Sequence, residues 1–304
     1  MVRNNIFKLT LSAVLISLLL LSCGQDSVIE KVEKEYKDKN YKQVVFLVRH
    51  HIRRGGRKDP KLLLLAAESL LKLGAESEAE EYFSEIYKGD SARGPEIASI
   101  LQEKAIKYMD QGSIMSGRRF IIQAVSYNPN ITFGQYDLEA GKFLMKERKF
   151  DKAINFFSRY LGSYADSSGS AEAMLNLGFA YKETGRIGKA IDTFRALIFK
   201  YPVSRFVSTA RWNYENLSIE QAEKAIKAGE FEEAKNILIL MKGSSTNTLN
   251  LVRANFMLGD IFAGQNFIGK AIDSYKEVLN LNLGSSGRYS ERAKERIEEL
   301  EELR

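Results

Sequence analysis

Residues Met174 to Pro202 read MLNLGFAYKETGRIGKAIDTFRALIFKYP. In helical phase Leu177, Gly178 and Tyr181 share one face of a first helix, and Ala190 and Phe194 share one face of a second. Gly185 supplies the turn between them. Small residues sit where two helix backbones must approach, and large ones fill the space beside them. The stretch therefore predicts a helical hairpin ending at Pro202.

The pattern recurs. Ala271 with Tyr275 follows Gly259 and Phe262; Ala153 with Phe157 follows Gly141 and Leu144; Ala234 with Leu238 follows Ala222 and Ala225. Upstream, Ala79 with Phe83 follows Ala67 and Leu70, and Gly117 with Ile121 follows Ala105 and Tyr108, closing at Pro129. The least regular copy places Val44 and Val48 after Val32. The markers Val44, Ala79, Gly117, Ala153, Ala190, Ala234 and Ala271 are 35, 38, 36, 37, 44 and 37 residues apart. The long step contains Val203 to Lys227, free of glycine and proline, which predicts one longer helix. Seven extra residues are close to two turns and keep the apolar face in phase. Turn signals fall at Lys39-Asn40, Gly74, Gly112, Gly185, Gly229 and Gln265-Asn266, and strand-like alternation is absent.

The run from Met174 to Pro202 resembles the tetratricopeptide repeat, with Met174 where the family pattern has tryptophan. The resemblance implies an all-α, right-handed superhelical solenoid of about seven hairpins. A solenoid buries its core between neighbouring repeats and needs no interdomain linker, so residues 28–284 are expected to form one elongated domain. Residues 285–304 are expected to form a capping helix, with Ala293, Ile297, Leu300 and Leu303 on one face. A short coiled-coil seam is the other use of such a stripe, although sustained coiled coils take three or more heptads.

In tetratricopeptide proteins the first helix of each hairpin lines a groove. Carried over by repeat phase, the resemblance assigns Leu138, Lys142, Lys146, Leu175, Phe179, Lys182, Glu223, Phe256 and Asp260 to a partner-binding groove. Phe179 and Phe256 are the expected apolar anchors. The family's lysine-asparagine clamp for terminal carboxylates would fall at Leu175 and Phe179, which disfavours that ligand.

At the N-terminus, Arg3 and Lys8 precede an uncharged apolar run from Leu9 to Ser22. As a helix it would span about 21 Å, short of the roughly 30 Å hydrocarbon core, so a leader is favoured over a permanent membrane span. Leu20-Leu21-Ser22-Cys23 resembles the bacterial lipobox. The resemblance implies that residues 1–22 are removed and that Cys23 carries a thioether-linked diacylglycerol and an N-acyl chain, with 23–27 as tether. One acyl chain binds a membrane marginally, whereas two give stable anchoring. Cys23 is the one cysteine, so an exported chain has no disulfide to form.

The formal charge of +6 falls to +4 once Arg3 and Lys8 leave with the leader. That weak bias does not argue for nucleic acid. Arg49, Arg53, Arg54, Arg57 and Lys58 form a basic cluster that either faces a membrane or partner, or simply complements a helix C-terminus before a glycine loop. No catalytic constellation emerges. His50 and His51 are adjacent and diverge by roughly 100° on a helix, which disfavours a shared metal. Gly55-Gly56-Arg57-Lys58 lacks phosphate-loop spacing, and neither Ser167-Ser168-Gly169-Ser170 nor Gly284-Ser285-Ser286-Gly287 has the nucleophile-elbow spacing. No enzyme activity, metal or cofactor beyond the covalent lipid is expected.

Phe194, Tyr201-Pro202-x-Ser204 and Ala210 are also similar to repeats of bacterial envelope lipoproteins, such as the lipoprotein subunit of the β-barrel assembly machine and the periplasmic coordinator of cell-wall synthesis with constriction. Seven repeats exceed the five or so of the assembly subunit. Gly24 and Gln25 after the cysteine lack the aspartate that retains lipoproteins at the inner membrane in enteric bacteria. The expectation is an outer-membrane-anchored, periplasm-facing scaffold that binds protein and no nucleic acid. The alternative is a surface-exposed lipoprotein binding host or extracellular ligands, and a peptidoglycan-binding role stands third.

Overall fold

The computed structural model describes residues 28–281 and 287–302, and among these all regular structure is helical. The described residues form fifteen α-helices, two short 3-10 turns and no strand. The chain divides into two compact units, Met1–Phe133 and Gly134–Arg304. The first holds three hairpins: α1 (28–37) with α2 (Tyr41–Arg53), α3 (Pro60–Leu73) with α4 (Glu76–Gly89), and α5 (Gly94–Asp110) with α6 (Ile114–Tyr127). The second holds four: α7 (Asp137–Lys146) with α8 (Phe150–Ser163), α9 (Ser170–Glu183) with α10 (Ile187–Lys200), α11 (Val207–Ala228) with α12 (Phe231–Lys242), and α13 (Thr248–Gly264) with α14 (Ile268–Leu281). In this unit every helix packs on the next, ending with α15 (Arg288–Glu302) on α14. The all-α hairpin architecture expected from the repeat is thus present.

One turn closes all seven hairpins. Lys39, Gly74, Gly112, Arg148, Gly185, Gly229 and Asn266 adopt left-handed backbone, with φ between 56° and 80°. The following N–H reaches back across the helix end: Asn40 to the Glu35 carbonyl at 2.9 Å, Arg186 to Tyr181 at 2.9 Å, Phe267 to Phe262 at 2.8 Å. This is the Schellman closure, which satisfies carbonyls that the helix end leaves open. Arg148 carries the same turn, although neither glycine nor asparagine marks it in the sequence.

The core beside each turn is a matched pair of volumes. In the fourth, fifth and seventh hairpins a glycine faces an aromatic ring: a Cβ on Gly141 would lie 2.5 Å from Phe157, on Gly178 2.5 Å from Phe194, and on Gly259 2.5 Å from Tyr275. Where the first position is alanine, its counterpart sixteen residues on is Phe83, Ile121 or Leu238, all buried with Ala67, Ala105 and Ala222. In the first hairpin Val32 and Val48 occupy the two places. The small residue sets helix separation, and the large one fills what remains.

The long helix expected over Val203 to Lys227 is α11, of 22 residues. It starts at Val207 because Tyr201 to Phe206 is turned: the Ser204 N–H donates to the Tyr201 carbonyl at 2.9 Å and the Val207 N–H to that of Ser204 at 3.1 Å. In α15, Ala293, Ile297 and Leu300 are buried in one cluster with Val278, Tyr275 and Phe256. Leu303, most of Gly284–Gly287, and the leader, Cys23 and tether of residues 1–27 lie outside the described residues.

Candidate interaction surface

The first helices of the second unit hold all nine groove positions, and three are core. Leu138, Leu175 and Phe256 are buried, Phe256 to 3% exposure. Phe256 meets the rings of Tyr275 and Tyr289 edge-on, each at 5.4 Å, and the Arg292 guanidinium lies 4.5 Å from its centroid. The groove assignment of Leu138, Leu175 and Phe256 is therefore corrected. For Phe256 the reason is α15, whose Tyr289 and Arg292 cover a ring that repeat phase alone leaves open. Phe179 is half-buried, edge-on to Phe194 at 5.4 Å.

Two of the five charged groove positions are neutralised between hairpins. After two of the small core residues in the second unit, the next residue pairs with one from the following first helix: Lys142 with Glu172 at 2.7 Å and Glu223 with Arg253 at 2.8 Å. Glu33 and Lys61 make the same pair in the first unit. Asp260 accepts from the Tyr275 hydroxyl at 2.6 Å and lies 3.9 Å from Arg296. At these half-exposed sites the pairs contribute little stability but leave little net charge. In the second unit the series breaks between the fifth and sixth hairpins, where the corresponding residues are Phe179 and Asn216. One turn before Asn216 lies Trp212, 60% exposed, whose carbonyl accepts from the Asn216 amide at 2.9 Å. Lys182 is half-buried and Lys146 exposed.

Trp212, the chain's one tryptophan, is absent from the groove positions that repeat phase assigns. It lies in the extension of α11, before the first residue of a standard repeat helix. Running the helical phase backwards from Glu223 through Asn216 reaches it. Leu249, placed relative to Gly259 as Trp212 is to Ala222, is also exposed, at 61%.

The backbone behind Trp212 is firmly held. Glu215 is 1% exposed, and its carboxylate accepts from the Asn250 side-chain amide at 3.0 Å and the Thr246 N–H at 3.3 Å. Arg211 donates to the Ser244 carbonyl. Burial pushes the Tyr214 hydroxyl's pKa up. These bonds tie the front half of α11 to the α12–α13 loop and α13, presenting an exposed indole on a fixed base.

In the first unit the basic cluster is split. Arg49 pairs with Glu78 and Lys58 with Glu85, whereas Arg53, Arg54 and Arg57 are exposed. Phe46, 58% exposed, stacks on His50 at 5.8 Å. His51 Nε2 lies 3.2 Å from the Arg57 carbonyl oxygen. Among the described residues there is no group of three or more histidine, cysteine or acidic side chains placed to hold a metal, and no helix long and apolar enough to cross a membrane.

No curated protein sequence matches the chain. Among solved structures it is similar to a tetratricopeptide repeat protein of Parabacteroides merdae (16% identity, 91% of this chain and 98% of that one, TM-score 0.32). It is also similar to a TPR repeats protein of Bacteroides fragilis (14% identity, 68% of this chain and 99% of that one, TM-score 0.47). A third is pilF of Pseudomonas aeruginosa (13% identity, 81% and 97%, TM-score 0.28). The family model of the tetratricopeptide repeat matches residues 172–204, which cover most of α9, all of α10 and the turn after them, so the fifth hairpin is similar to a tetratricopeptide repeat.

Proposed function

We propose that the chain is a lipid-anchored protein–protein interaction scaffold of the bacterial cell envelope, held at the outer membrane through Cys23, facing the periplasm and serving envelope assembly. The observation that carries the binding half of this reading is the uncharged aromatic break at Phe179, Trp212 and Asn216, set in a framework whose neighbouring charges are paired. An exposed tryptophan on a rigid base is the kind of group that anchors a partner's apolar side chain, since little side-chain entropy is lost on contact. The anchoring half rests on the apolar run Leu9 to Ser22 and the lone Cys23.

Each half has its own test. Trp212→Ala with Phe179→Ala should weaken capture of the native partner about tenfold or more; unchanged capture by a folded variant rejects the surface. Mass spectrometry of the mature chain should find Cys23 at the N-terminus, bearing diacylglycerol and an N-acyl chain; an unmodified terminus rejects the anchor. Protease added to intact cells should leave the chain whole until lysis, and digestion without lysis would place it on the outside.

A further inference from the structure

The stretch Tyr41–Lys58 contains Lys42, Arg49, Arg53, Arg54, Arg57, Lys58 and two histidines, and no aspartate or glutamate. Glu78 and Glu85 neutralise Arg49 and Lys58, which leaves Lys42, Arg53, Arg54 and Arg57 exposed. Apolar groups stand among them: Phe46 is 58% exposed and Leu73 41%, and the two share a hollow with Lys42 and Arg53. The described chain also begins at this place. Val28 and Lys31 of α1 line a shallow cleft with Leu47, His51 and Arg54, so the first described residue lies beside an exposed arginine.

We propose that this face of α1 and α2, with Phe46 at its centre, docks on anionic lipid headgroups of the membrane that holds the N-terminus. The proposal rests on the Cys23 anchor. If lipid is attached there, residues 23–27 allow at most about 17 Å between the headgroup region and Val28. That ceiling keeps Val28 near the surface, and any approach to within one screening length, about 8 Å at physiological salt, brings these four cations, exposed among the described residues, into the membrane's field. Clusters of four or more lysines and arginines beside an anchor are attracted to anionic lipid, and an exposed phenylalanine and leucine supply apolar contact at the boundary. An acidic protein has the same charge complementarity, but nothing brings one to this spot, whereas the tether brings the membrane.

The test uses the full lipidated chain carrying Phe46→Trp and Trp212→Phe, with folding verified by circular dichroism. It is reconstituted into phosphatidylcholine vesicles with brominated acyl chains, with or without about 30% phosphatidylglycerol. Flotation reports the anchor, and quenching of the indole at position 46 reports docking. The expected result is flotation with both compositions, and quenching by about half or more only with phosphatidylglycerol, reversed by about 0.5 M salt and by Arg53→Gln/Arg54→Gln/Arg57→Gln. Flotation with equal, salt-independent emission on both compositions overturns docking and leaves the anchor standing. Absence of flotation overturns the anchor and the proposal with it. An emission shift with soluble polyglutamate but not with anionic vesicles overturns the lipid assignment in favour of an acidic protein.

Discussion

Gly178 has no room for a methyl group, because a Cβ there would meet the edge of the Phe194 ring at 2.5 Å. Gly178→Ala should cost about 1–3 kcal/mol through overpacking. The sixth hairpin shows the remedy, since Ala222 is matched there by Leu238. Phe194→Leu in the Gly178→Ala background should therefore recover part of the loss, and a double-mutant cycle in urea should give a coupling of about 0.5–3 kcal/mol; strict additivity would contradict the matched volumes. The left-handed turns permit a gain. Arg148 holds φ at 56°, where an L side chain is strained, so Arg148→Gly should stabilise the second unit by up to about 1 kcal/mol and Gly185→Ala destabilise it by about as much. Urea midpoints of the two variants check both signs. Glu80 offers a pH test: Tyr127 donates to its Oε1 at 2.7 Å, and Oε2 is buried without a partner among the described residues. Burial raises the Glu80 pKa, and the Tyr127 bond opposes the shift only in part. A carboxyl with a raised folded value stabilises the fold below the ordinary glutamate range, and that contribution is lost as pH rises through the folded value. Glu80→Gln should thus raise the thermal midpoint by about 2–4 °C at pH 7 and leave it unchanged near pH 4.

At the scale of the element, the hairpin is the unit, and it was almost wholly legible. Helix phase located the small residues and their large counterparts, and a glycine or asparagine at or next to the left-handed residue marked six of the seven turns. The turn at Arg148 was silent, since there a tightly packed Gly141–Phe157 hairpin holds arginine in a conformation that its residue type does not advertise. Helix phase gave the expected groove residues their places on the first helices but not their exposure. Phase places Phe256 correctly on its helix, yet its burial depends on Tyr289 and Arg292, contributed by a helix outside the repeat. Trp212 was hidden for the converse reason, standing in a helix extension for which the repeat has no numbered position. Its setting makes its own prediction. Glu215→Ala removes the acceptor for the Asn250 amide and the Thr246 N–H, and should cost about 1–3 kcal/mol while speeding hydrogen exchange at the α12–α13 loop. Unaltered exchange there would show that the carboxylate does not tie α11 to α13.

At the scale of the whole molecule, the two units divide the work that the residues suggest. The first unit carries exposed cations around Phe46, near the first described residue Val28, and the second carries an indole among paired charges. The tethered scaffold proposed above would use both kinds of surface, one for a membrane and one for a client. A photo-crosslinking amino acid at position 212 in living cells reads the client surface itself, with Lys224, exposed elsewhere on α11, as control. A client held at the indole gives a discrete protein adduct from position 212, in the membrane fraction and absent from the Lys224 control. A folded, abundant chain that yields no adduct at 212, or the same adducts at both positions, would contradict the scaffold role.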